Sequence, residues 1–317
     1  MSKKKDVNFH SKILLFGEYS IIQESMGLTL PYDIFKGKLT FDQAKEQCPV
    51  EFANSNQNLF KFLKHLRTLQ TSDAFPVKLD LDKFEEELNA GLYFDSTIPQ
   101  GFGIGSSGAL VAAIYDRYAE DKIMITEDLT KENISFLKKI FGQMESFFHG
   151  TSSGVDPLIC YINLPLLIRS KEDIEPVKVA PKANGKGAIF LIDTGTPRKT
   201  EPLVKYYMEK MEEGTFREFV DKQLKPFTNN CIQAFLNGDH ATLFGHITKL
   251  SEFQFKHFKP MIPKLFNRLW KKGLDSGEYY LKLCGAGGGG FILGFTENFE
   301  KTQEELKGYQ LKLVCHI

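Results

Sequence analysis

No charge of either sign predominates in this chain of 317 residues, where 40 Lys and Arg balance 40 Asp and Glu. That balance removes the global basic footprint of a protein that holds nucleic acid or an anionic membrane by net charge. Long apolar runs are missing as well, since none approaches the ~20 residues needed to span a bilayer. The basic start Lys3-Lys4-Lys5 passes into Asp6, Asn8 and His10 rather than an apolar stretch. No secretory signal is read there, and the expected location is cytoplasmic. Cysteine is scarce and odd in number. Cys48, Cys160, Cys231, Cys284 and Cys315 are scattered without paired metal-ligand spacing, so they are expected to be reduced and mostly buried. Internal repeats and low-complexity tracts are absent. What is present is apolar content, 42% of the chain with 28 Phe spread along it, which is ample for a packed core in one large domain or two.

The patterning is mixed α and β. Lys12 to Phe16 is an apolar run of strand length ended by Gly17, Val77 to Leu81 alternates as a strand, and Leu92 to Ser96 reads as another. Helical spacing appears over Asn58 to Leu69, Ser107 to Tyr118 and Lys131 to Phe148, the last with polar caps near Thr126 to Thr130. Pro165, Pro176, Pro181, Asn184 and Gly185 punctuate the middle, making 165–187 the best candidate for a domain boundary or surface excursion. Beyond it, Ala188 to Asp193 is a strong strand. Helices are expected over Thr200 to Glu213, Phe216 to Gly238, Asp239 to Phe258 and Ile262 to Lys272. A β-rich close holds Tyr279 to Leu283, Phe291 to Phe295 and Leu311 to Val314, with a helix near Asn298 to Lys307. An α+β second part follows from that order.

Three segments carry chemistry. The first is Pro99-Gln100-Gly101-Phe102-Gly103-Ile104-Gly105-Ser106-Ser107-Gly108-Ala109, running into an apolar helical stretch. Glycines let amide N–H groups converge on an anion, and the first turn of the helix adds unpaired N–H groups and a positive dipole end. Taken alone, the segment reads either as a phosphate cradle or as a glycine-rich turn with a Ser N-cap. The second segment runs from Glu145 through His149-Gly150-Thr151-Ser152-Ser153-Gly154-Val155 to Asp156. Its two carboxylates suit metal binding and activation of a hydroxyl in phosphoryl transfer, or else are an exposed helix acid and a turn acid. His149 reads as a structural residue at the turn. The third is Cys284-Gly285-Ala286-Gly287-Gly288-Gly289-Gly290, set between strands, where so much glycine implies a close backbone approach or a plain flexible hairpin. A P-loop pattern is lacking, and no acidic residue follows the first loop at dinucleotide-fold spacing.

In this order the segments resemble the GHMP kinase superfamily, small-molecule kinases named for galactose, homoserine, mevalonate and phosphomevalonate. The first family motif is matched by Lys12-Ile13-Leu14-Leu15-Phe16-Gly17-Glu18-Tyr19, the second by Pro99 to Ala109 and the third by Lys282 to Phe291. Within the superfamily the acidic segment, with Glu145-x-x-x-His149-Gly150 and Ser153-Gly154-Val155-Asp156, looks most like that of mevalonate kinases. Asp193 to Thr200 resembles their Arg-x-Thr turn. The resemblance implies a two-domain GHMP kinase fold: a ribosomal protein S5 domain 2-like N-terminal domain over 1–180 and a ferredoxin-like C-terminal domain over 181–317, with the site between them. It implies ATP and Mg2+, with Pro99, Gly101, Gly103, Gly105, Ser106, Ser107 and Gly108 around the nucleotide phosphates and Ser106 with Glu145 on the metal. Asp156 would face the acceptor hydroxyl and Lys12 would lower its pKa. Glu18, Tyr19, Arg198, Thr200, Gly287 and Gly288 would lie on the acceptor side.

The implied acceptor is a small molecule, the primary hydroxyl of mevalonate or a related hydroxy acid, with neither nucleic acid nor membrane as partner. A homodimer is the oligomer that the family suggests. Two residues depart from the mevalonate kinase pattern. Tyr19 stands where histidine is usual and Gly108 where alanine is commoner, both as in phosphomevalonate kinases. Phosphomevalonate kinase and sugar kinase therefore remain as alternatives, with a non-catalytic metabolite-binding member behind them.

Overall fold

The computed structural model describes residues 7–41, 49–126, 129–179, 185–198 and 200–317. The chain divides into two compact units that interleave in sequence. One comprises Met1–Lys12, Pro31–Pro99 and Ile104–Leu164, the other Ile13–Leu30, Gln100–Gly103 and Pro165–Ile317. Among the described residues, no helix is long and apolar enough to cross a membrane.

Strand β1 (Phe9–Phe16) is a neighbour of β2 (Gly27–Phe41), a strand of 15 residues. The far end of β2, Gly37 to Phe41, pairs antiparallel with β3 (Leu92–Ser96) in the first unit. Its start, Gly27 to Thr29, pairs with β4 (Leu166–Ile168), which pairs with β5 (Ile174–Pro176) in the second. The alternation of β2 is hidden in the sequence because Pro31 and Gly37 punctuate it as a turn would be punctuated. Gly37 is needed there, since a Cβ would lie 2.2 Å from the Phe94 ring stacked across the pair.

Five helices complete the first unit: α1 (Pro49–Gln70), α2 (Leu81–Asn89), α3 (Ser106–Tyr118), α4 (Lys131–His149) and α5 (Val155–Ile162). Helix α1 turns Leu59, Phe62, Leu63 and Leu66 inward at helical spacing, and all four are buried. Val77 to Leu81 is not a strand. It makes a single bridge, Leu79 to Ala119, after which the Asp80 side chain accepts from Lys83 N at 3.1 Å and starts α2. An N-cap acid followed by Leu81, Phe84 and Leu88 outweighs a short alternating run. Thr130 caps α4 in the same way, accepting from Asn133 N at 3.2 Å.

The second unit is built on an antiparallel four-stranded sheet in the order β7-β8-β6-β9, from β6 (Ala188–Asp193), β7 (Tyr280–Leu283), β8 (Phe291–Thr296) and β9 (Leu311–His316). Its helices are α6 (Thr200–Met211), α7 (Gly214–Phe219), α8 (Lys225–Asn237), α9 (His240–His257), α10 (Asn267–Ser276) and α11 (Phe299–Glu305). The helix expected over Phe216 to Gly238 is divided by a π turn, Val220–Leu224. Pro226 follows it and cannot supply the N–H that an unbroken α-helix requires. Pro263 likewise delays α10, which starts at Asn267 rather than Ile262. Of the punctuated stretch 165–187, residues 180–184 lie outside the described residues, and the rest forms β4, β5 and the approach to β6. Cys160, Cys231 and Cys284 are buried free thiols and Cys315 is half-buried; Cys48 lies outside the described residues.

A lysine is wholly buried in this unit. Lys282 on β7 is 0% exposed and its Nζ donates to Glu18 Oε1 at 2.5 Å and to Leu283 O at 2.7 Å, above the Phe16 ring. Burial pushes the Glu18 carboxyl upward, against the opposing pull of Lys282 and the Gly285 N–H. The pair ties the segment after β1 to the glycine-rich turn after β7. Breaking one partner strands the other charge in a dry interior, so Lys282→Met is expected to cost about 3–5 kcal/mol in urea unfolding. The double variant Glu18→Leu/Lys282→Met should regain most of that loss.

Candidate active site

Lys12, Asp156, Glu145 and the start of α3 converge within the first unit. Lys12 lies on β1, where its N–H donates to Ile104 O at 2.9 Å and fixes the strand beside the glycine loop. Its Nζ stands 2.8 Å from Asp156 Oδ1, with the lysine side chain 8% exposed and the aspartate 39%. Asp156 is in the first turn of α5, where the helix dipole favours a negative charge. The cation is thus held inside while the carboxylate keeps a face to solvent.

Glycine makes this convergence possible at two places. Gly105 caps α3 in the left-handed region (φ 85), and a Cβ there would sit 2.9 Å from Lys12 Cγ. Gly108, one turn on, lies against the backbone of α5: a Cβ would stand 2.7 Å from Asp156 C and 2.8 Å from Pro157 N. The starts of α3 and α5 touch backbone to backbone.

Glu145 is the buried centre of the group, 3% exposed on α4. Ser107 Oγ donates to its Oε1 at 2.8 Å and Ser152 Oγ to its Oε2 at 2.5 Å. Gly154 N–H in turn donates to Ser152 Oγ at 3.0 Å, and His149 Nε2 lies 3.1 Å from Ser107 Oγ. Burial, and then the charge of Asp156, push the Glu145 carboxyl up to about 7; the two hydroxyls and Lys12 oppose that shift. One carboxylate is buried among hydroxyls and the other faces solvent beside a lysine, which places the two acids in different environments.

Comparison with known proteins places part of the chain in a described family. Residues 73–163 match the family described as GHMP kinases N terminal domain. That match covers the segment from Asp73 to Asn163, which holds the glycine loop and both carboxylates. The chain is 25% identical over 297 residues to a mevalonate kinase of Archaeoglobus fulgidus, covering 89% of each. In fold it is similar to L. major mevalonate kinase solved with R-mevalonate, with a TM-score of 0.66, 16% identity and 99% and 97% of the two chains covered. Streptococcus pneumoniae phosphomevalonate kinase, solved with phosphomevalonate and AMPPNP, is similar at a TM-score of 0.63, 13% identity and 98% and 100% coverage. The fold is therefore the α+β, two-domain GHMP kinase fold.

The GHMP motifs land in different surroundings. Lys12, Gly105, Ser107, Gly108, Glu145 and Asp156 come together as described. Ser106 opens α3, but Ser107 is the serine that meets Glu145. Pro99 is half-buried ahead of the loop. In the second unit, Gly101 O accepts from Arg198 N at 2.9 Å, and Arg198 Nη1 donates to Cys284 O at 2.6 Å. The half-buried guanidinium occupies the space that a Cβ on Gly103 or Gly285 would need. Glu18 is buried on Lys282. Tyr19 is 5% exposed, with its ring against Tyr207 and Phe258 and its hydroxyl donating to Ala286 O at 2.6 Å. Its φ of 62 is a left-handed backbone that a tyrosine rarely adopts. The close approach implied by the third glycine segment is to the chain itself: Gly288 N–H donates to Met261 O at 2.6 Å, and a Cβ on Gly287 would lie 2.5 Å from that oxygen. Thr200 is the first residue of α6, and its side chain lies outside the described residues. Sequence reasoning passed over Ser152 and the contact of His149. The signal for the second was the four-residue spacing from Glu145, which puts both on one helix face.

The oxygen donors of Glu145, Ser107 and Ser152 suit a hard cation such as Mg2+, which takes one or two carboxylates and fills its shell with water and phosphate oxygens. Two measurements check this geometry. Alanine at Gly108 would press on backbone rather than on a movable side chain, so Gly108→Ala is expected to lose about 1–3 kcal/mol of stability in denaturant unfolding. For Glu145, the folded carboxyl near 7 binds its proton more tightly than the ordinary carboxyl at 4.5, so the ligand-free protein loses stability as pH rises from the lower value to the higher. Melting curves across that range should show Glu145→Gln gaining on the wild type up to about pH 7 and then holding a constant lead.

Proposed function

We propose that this protein is a GHMP kinase that transfers the γ-phosphoryl group of ATP to the primary hydroxyl of mevalonate. The observation that carries the reading is the 2.8 Å pair of buried Lys12 with half-exposed Asp156, set at the starts of α3 and α5. Asp156 Oδ takes the proton of the acceptor hydroxyl as its oxygen attacks the γ-phosphorus, and ADP leaves. The Lys12 ammonium offsets the negative charge that develops on the attacking oxygen. The amides of Gly105 to Gly108 and the positive end of α3 bind phosphate oxygens. Glu145 and Ser107, rather than Ser106, would hold Mg2+, which when bound neutralises charge on the β- and γ-phosphates.

For the acceptor, support comes from the 25% identity to a mevalonate kinase across 89% of both chains, together with the acidic segment from Glu145 to Asp156. Tyr19 and Gly108 no longer weigh toward phosphomevalonate. Tyr19 is committed to Ala286 and a packed aromatic cluster, and Gly108 answers the backbone of Asp156 and Pro157. An anionic acceptor needs a cationic contact, and Arg198, with donors beyond its bond to Cys284 O, or Lys12 could supply it. Residues 1–180 are assigned as the ATP-binding domain and 181–317 as the C-terminal domain.

A coupled ADP-release assay on mevalonate, phosphomevalonate and galactose tests this. Turnover is expected on mevalonate alone, and Asp156→Asn should lower kcat by roughly 10²–10⁴ while nucleotide affinity stays the same. Mevalonate giving no signal above ATP hydrolysis overturns the acceptor. An Asp156→Asn variant with full turnover overturns the mechanism.

A further inference from the structure

Glu145 and His149 stand four residues apart on α4 with the Ser107 hydroxyl between them. The helix ends at that histidine, because Gly150 turns left-handed (φ 72) and its N–H closes on Ser146 O at 2.8 Å. His149 is therefore an exposed residue with a defined backbone and one polar partner, Ser107.

A serine hydroxyl has one proton and two lone pairs. With Glu145 ionised, Ser107 must give its proton to Oε1, because a carboxylate only accepts; Oγ can then only accept from His149. Nε2 of His149 is thus an N–H donor. The same polarity runs through the other arm of the network, from Gly154 N–H to Ser152 Oγ to Oε2.

We propose that His149 is a positioning residue for phosphoryl transfer: its Nε2–H holds one lone pair of Ser107, so that the serine proton points to Glu145 and the second lone pair is left for the cation. The proposal rests on the kinase reading for its purpose and on the hydrogen-bond directions for its content. Without the histidine the hydroxyl rotates, and its proton competes for the face that the cation needs. Outer partners of this kind change metal affinity or activity by roughly 10–100-fold when removed.

Two readouts test it without turnover. In ligand-free protein at mildly alkaline pH, ¹⁵N-resolved NMR of the histidine rings, assigned by comparison with His149→Gln, should show His149 as the Nε2–H tautomer. The Nδ1–H tautomer overturns the proposal. Calorimetric titration should show His149→Ala weakening Mg2+ binding in the presence of ATP about tenfold, with metal-free ATP affinity unchanged. His149→Gln, which can donate from its own amide, should recover most of the loss. Equal Mg2+ affinity in His149→Ala and wild type, or no recovery in His149→Gln, overturns it. These outcomes do not depend on which acceptor is phosphorylated, so a failed acceptor assay and a failed role for His149 are distinguishable.

Discussion

A single buried carboxylate organises the chemistry of this protein. Glu145 accepts hydrogen bonds from hydroxyls in the first turn of α3 and in the loop between α4 and α5, so three separate stretches of chain meet at one group. Removed from water and near a second acid, it would be a liability without those donors. With them each carboxylate oxygen has a hydrogen-bond partner in the interior. Burial, and then the charge of Asp156, raise its proton affinity, while Lys12 is paired with Asp156.

The roles proposed for the two acids rest on how far each is exposed. Asp156 keeps a solvent face at the start of α5, with a lysine pinned behind it by a strand and a glycine, and so can meet a substrate hydroxyl. Glu145 lies deeper and is shared among hydroxyls. The same backbone closeness that brings α3 to α5 accounts for glycine at position 108. A departure from the usual family residue there is a packing requirement and says nothing about the acceptor.

Much of this was legible in the chain. The helices α3 and α4 and the strands β3, β6 and β8 appear near their observed ends because their periodicity and caps agree with their packing. The two carboxylates and the glycine loop stood out by residue type and order, Lys12 only through the resemblance, and the fold brings Lys12, Asp156, Glu145 and the start of α3 together. What escaped has physical causes: β2 carries internal Pro and Gly, Val77 to Leu81 alternates but is overruled by the Asp80 cap, and Pro226 forces a π turn into one helical pattern. At the site, Ser106 and Ser107 are equivalent in sequence, and only the rotation of α3 decides that the second faces Glu145.

Residue order along the chain was enough to point to the family fold, because three glycine- and acid-bearing segments follow one another as in the GHMP kinases. Tertiary structure decided which atoms those residues spend on one another. Glu18 and Tyr19 sit in a motif read as facing substrate, yet burial commits them to Lys282 and Ala286. The glycines at 287 and 288 admit the chain's own Met261. Partner choice depends on distance and desolvation, and those exist only once the chain is folded.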